Sequence, residues 1–125
     1  METIAIMNTV NLVEKFSQFS EHWRPKIVGE LNDSYIKLAK LEGEFLGHHH
    51  DEEDEMFLVV RGELVIRFRG RAVTLTDGEF LVIPRGVEHM PVAEREVWVM
   101  LIEKKSTRNT GTVQNERTIE NPEWI

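Results

Sequence analysis

After Pro25 the chain is cut into short runs of strand-forming residues by turns built from glycine, proline, asparagine and aspartate. The runs cover 26–31, 35–41, 44–50, 55–61, 63–68, 71–75, 80–83 and 97–103. The breaks between them include Asn32-Asp33-Ser34, Gly43, Gly62, Gly70, Asp77-Gly78 and Pro84-Arg85-Gly86. Many short strands with such punctuation predict an all-β sandwich or barrel. Two stretches, 56–60 and 97–102, are apolar at every position. A strand needs that only when both of its faces are covered. One face would line a barrel interior. The other would be covered by a helix, the tail or a second subunit, and a homodimer is expected because one short helix cannot cover everything.

That helix is expected over 11–19, where Leu12, Val13, Phe16 and Phe19 fall on one face. Asn11 can cap it, with Glu14 three residues on as in a capping box. Its end should come before Pro25, because Arg24 is biased away from the α region. The chain therefore divides into an N-terminal segment with a short helix (1–25), a β-barrel (26–103) and a polar, patternless tail (104–125). Trp124 and Ile125 at the end of that tail are candidates to dock on the barrel.

Composition removes several functions. The 125 residues contain no cysteine, which excludes disulfides, thiolate metal sites and thiol catalysis. The formal net charge is −7, and no basic stripe stands out, so nucleic acid is not an expected partner. The apolar runs are far too short to span a bilayer. The first ten residues show no basic segment followed by an apolar one, so no signal peptide is read there and a cytoplasmic location is expected.

The histidines carry the chemistry. His48, His49 and His50 are consecutive, and His89 stands behind the Pro84-Arg85-Gly86 turn. Alternate residues of a strand share a face. His48 and His50 would thus point one way, roughly 6.7 Å apart along the strand, and His49 the other. Glu55 fits the start of the next antiparallel strand. If it faces inward, Phe57 and Val59 do too.

The spacing His48-x-His50-x4-Glu55-x6-Gly62 resembles the first motif of the cupin superfamily. The spacing Gly78-x5-Pro84-x-Gly86-x2-His89 resembles the second. Two departures are Gly43, separated from His48 by four intervening residues rather than five, and Ala93, where Asn is common. Neither touches a ligand position. The resemblance is to small single-domain cupins of the kind labelled mannose-6-phosphate isomerase-like. It implies a jelly-roll β-barrel in which His48, His50, Glu55 and His89 hold one divalent transition-metal ion. Three imidazoles and a carboxylate suit Mn, Fe, Ni or Zn better than Ca or Mg.

The implied function is binding or transformation of a small oxygen-bearing molecule, of isomerase, dioxygenase or decarboxylase type. The alternatives are a non-catalytic binding or sensing cupin and a structural metalloprotein. No catalytic residue stands out, with Tyr35 and Glu63 as weak candidates for a base. Phe57, Arg85 and Met100 are candidate substrate-pocket residues. The acidic run Asp51-Glu52-Glu53-Asp54 reads as a solvated loop, and His22 as structural.

Overall fold

The computed structural model describes residues 7–125, so the signal-peptide reading, which rests partly on residues 1–6, falls partly outside the described residues. The elements in order are α1 (Leu12–Phe16), β1 (Lys26–Leu31), β2 (Ser34–Glu44), β3 (Glu55–Arg61), β4 (Glu63–Phe68), β5 (Arg71–Thr76), β6 (Phe80–Ile83), β7 (Met90–Lys104) and β8 (Glu123–Trp124). No helix among the described residues is long and apolar enough to cross a membrane.

The long strand β7 organises the fold. Its first residues pair with β4, and its second half pairs with β2 on one side and β3 on the other. The sheet order is β5-β4-β7-β2-β1-β8, with β6 added through β3. All pairings are antiparallel except β1 with β8. β7 begins earlier than the apolar run predicts. Its register against β2 shifts between Leu41 and Gly43, which face Val97 and Ala93. The polar residues Glu94, Arg95 and Glu96 bulge out to solvent there, and this interruption hides the strand in the sequence.

Alternation sets what lies inside. Phe57 and Val59 of β3, and Val97, Val99 and Leu101 of β7, join Leu41, Leu64, Ile66, Leu75 and Ile83 in the barrel core. Gly62, at φ +112°, lets the β3–β4 turn press on β7, because a Cβ there would lie 3.2 Å from Val97 Cα. The other face of β7 presents Trp98 and Met100 to a second cluster built on Phe16, Phe19, Val28 and Leu38.

Helix α1 covers that second cluster. Asn11 caps it, its Oδ1 accepting from Glu14 N at 2.9 Å. The helix is shorter than its apolar spacing predicts and ends at Ser17, and Phe19 reaches the core from the following turn. Phe16 is fully buried and stacks on Trp98 at 4.7 Å. Burying a side chain of that size contributes roughly 1.5–3 kcal/mol. The docking expected for the chain end is met by β8, where Ile27 faces Trp124, and by Ile125, which packs on the same cluster.

Candidate metal centre

The expected strand over 44–50 is not a regular strand. Residues 45–50 instead run irregularly beside 86–91. His48 and His89 form an isolated antiparallel bridge, with His48 N donating to His89 O at 3.0 Å and His89 N to His48 O at 2.8 Å. Phe45 N donates to Pro91 O, and Gly86 N to His50 O. Two irregular segments thereby hold each other, and each carries imidazoles into the barrel mouth. Glu55 arrives on the first residue of β3.

The four side chains converge. One ligand atom from each of His48, His50, Glu55 and His89 lies within 4.8 Å of the others. All four are buried, at 3%, 4%, 4% and 1% exposure. His48 Nδ1 lies 3.0 Å from Leu46 O, and His89 Nδ1 lies 2.9 Å from Val87 O. A carbonyl only accepts, so each Nδ1 is the donor, and in the neutral ring each Nε2 offers a lone pair. This is the arrangement in which backbone carbonyls orient metal-binding imidazoles.

Two contacts test whether the residues fit an ion. His89 Nε2 approaches Glu55 Oε1 to 3.2 Å, although both atoms are then acceptors. His50 Nε2 lies 3.4 Å from the same oxygen but finds no hydrogen-bond partner. A cation between these atoms reconciles both. The donor set fits a divalent transition metal.

Electrostatics agree. Burial, and after it the neighbouring His89, lowers the His48 pKa to about 4, so the ring is neutral near pH 7. Burial acts to raise Glu55, but contacts with Glu103, His50 and His89 outweigh it and hold the carboxyl well below its usual range. Glu103 moves the opposite way. Burial and the Glu55 charge push it well above that range, against the pull of Lys37.

Sequence reasoning overlooked Glu103 and Lys37. Lys37 Nζ donates to Glu103 Oε1 at 2.9 Å, with both side chains almost fully buried. Glu103 Oε2 finds no hydrogen-bond partner. The signal was available: Glu103 continues the inward alternation of Val97, Val99 and Leu101.

A cavity of about 40 Å³ adjoins the cluster, lined by His48, Glu55, Glu103, Asn109 and apolar walls that include Trp23, Leu41, Phe57 and Leu101. Of the expected pocket residues, Phe57 lies there. Met100 does not, because alternation turns it outward to the α1 cluster. Arg85 stands outside with its side chain 64% exposed and its Nε 3.5 Å from Asp54 Oδ1. Tyr35 and Glu63 do not line the cavity either. His49 is turned away and meets Asp51 at 3.1 Å, and His22 pairs with Glu96 at 2.8 Å.

The segment after β7 is not the loose tail its composition suggests. Asn109 reaches the cavity, Thr110 is fully buried, and Thr112 N donates to His49 O. Gly111, at φ +61°, packs so tightly on the His49 carbonyl that a Cβ would overlap it.

The cupin domain family model matches residues 35–102, which include all four converging side chains. The chain belongs to the cupin family, and its fold is the cupin jelly roll, with the sheet not fully closed. It is 48% identical to a cupin-2 domain containing protein from Shewanella frigidimarina ncimb 400. That match covers 77% of this chain and 94% of the other, with a TM-score of 0.76. Protein NMB1881 from Neisseria meningitidis is 30% identical over 78% of this chain and 100% of that one, with a TM-score of 0.72. The uncharacterized protein YdbB of Bacillus subtilis (strain 168) is 38% identical over 87 residues, 69% of each chain.

Proposed function

We propose that this cupin binds one divalent transition-metal ion through His48, His50, Glu55 and His89, and receives a small oxygen-bearing molecule beside it. The observation that carries the reading is four buried donors within 4.8 Å of one another at the edge of a cavity. Mn, Fe, Ni or Zn would supply Lewis acidity or, for the redox-active ions, electron transfer. The chain's own residues do the rest. Leu46 and Val87 carbonyls fix the imidazole tautomers, burial and the Glu55 charge raise the Glu103 carboxyl next to the ligands, and the apolar walls exclude water. An isomerase-like or oxygenase-like reaction is compatible with these four donors beside a cavity.

A second copy of the chain is the macromolecular partner this reading includes. Phe80 and Val82 of β6 are 61% and 50% exposed beside Leu58 and Met56 of β3, an apolar surface α1 leaves uncovered.

Loading the metal-free protein with Co(II) tests the site. One equivalent should bind with a visible spectrum of nitrogen and oxygen ligation, and small oxygen compounds should shift that spectrum. A spectrum identical to aqueous cobalt would contradict the proposal.

A further inference from the structure

The cavity beside the four ligands says what kind of molecule it can take. Its walls are Trp23, Leu41, Phe57 and Leu101, and its floor is His48 with the Glu55–Glu103 pair. Asn109 also borders it, with its amide already held by two bonds. Its Nδ2 donates to Arg117 O at 2.8 Å and its Oδ1 accepts from Ile119 N at 2.8 Å. Lys37 is held behind Glu103 and does not line the space. Among the described residues, no lysine or arginine side chain lines it.

We infer that the ligand of this cavity is a small, sparsely oxygenated molecule with an apolar body, such as a short ketone or diketone, and not a sugar or phosphosugar. The inference rests on the proposed metal reading and deepens it. A polyol inside these walls would leave hydroxyls without partners, and each unpaired buried hydroxyl lowers affinity. A phosphate would find no cationic fork to receive it. An apolar chain instead gains by displacing water from Leu41, Phe57 and Leu101. A single oxygen-bearing end would face the side of the cavity where His48 and Glu55 converge with His50 and His89.

The test compares butane-2,3-dione with dihydroxyacetone, which has the same number of non-hydrogen atoms, and with inorganic phosphate. Binding to the Co(II)-loaded protein is read from the relaxation of the ligand protons, and for phosphate from the phosphorus nucleus. The dione should bind at least about tenfold more tightly than dihydroxyacetone, with phosphate weaker than the dione. Leu101→Asn, which places an amide in the wall, should narrow the gap, and Leu101→Met should keep it. Equal or tighter binding of dihydroxyacetone or phosphate by the wild-type chain would overturn the inference. The same titrations on the metal-free chain follow the Leu101 and Phe57 proton resonances and should give the same order. Failure to take up metal and failure of the wall preference are therefore separate results.

Discussion

The barrel strands and the segment after β7 reach the same cavity by different physics. In β3 and β7 every second side chain points inward, so Phe57, Val59, Val99 and Leu101 build a core by alternation alone. The 105–119 stretch has no such period. It is held by side-chain and turn bonds: Thr110 Oγ1 to Thr118 Oγ1 at 2.7 Å, Asn109 to Arg117 and Ile119, and Arg117 to Glu44 O. Apolar area stabilises the first region, and satisfied polar groups fix the second. The four converging side chains sit where the two meet, with His48 and His50 on an irregular segment lying against Gly111 and Thr112.

The largest effect should come from the ligands themselves. His48→Ala and His89→Ala should each lose most of the bound metal in a competition titration, and His49→Ala should keep it. Equal loss in all three would mean that His49 shares the inner face. Next is the buried pair that extends the barrel's inward row. Glu103→Leu leaves the Lys37 cation buried and unpaired, and should cost about 3–5 kcal/mol in denaturant unfolding of the metal-free chain. Adding Lys37→Met should recover most of that loss. A double variant no better than the single one would mean that the pair is not what holds Glu103 in place.

The pH dependence follows from His48. In the folded chain it charges only near pH 4, against an ordinary value of 6.5. The unfolded state therefore binds the extra proton between those values, and the metal-free protein should lose stability as pH falls from about 6.5 to about 4. His48→Gln should flatten that part of the profile. On the other side of the comparison, Gly111→Ala should cost about 1–3 kcal/mol, from its left-handed backbone and its overlap with the His49 carbonyl. It should also weaken metal binding, because the His48–His50 segment must shift. Lost stability with unchanged metal affinity would show that the segment merely covers the site.

How much of this was legible followed the same division. Strands 26–31, 55–61, 63–68 and 80–83 could be read residue for residue, because alternation and turn chemistry both marked them. The four side chains that converge could be named from spacing, because Glu55 starts a strand and His89 follows a tight turn. The 44–50 stretch misled, since its apolar and histidine content suits a strand, yet past Glu44 its one β-bridge is at His48. Met100 misled as a pocket residue because a strand apolar on both faces does not announce which face is inner. Glu103 was missed because a carboxylate at a strand end reads as solvent-facing until its buried partner, Lys37, is in view. Asn109 and Gly111 were out of reach of any periodicity, since polar turns carry their positions.

Elemental mass spectrometry of the untagged chain, purified without chelators, tests the central claim most directly. The four-donor centre predicts about one equivalent of a divalent transition metal per chain, present as purified or taken up at neutral pH. A chain that carries none, and cannot be loaded, would contradict it.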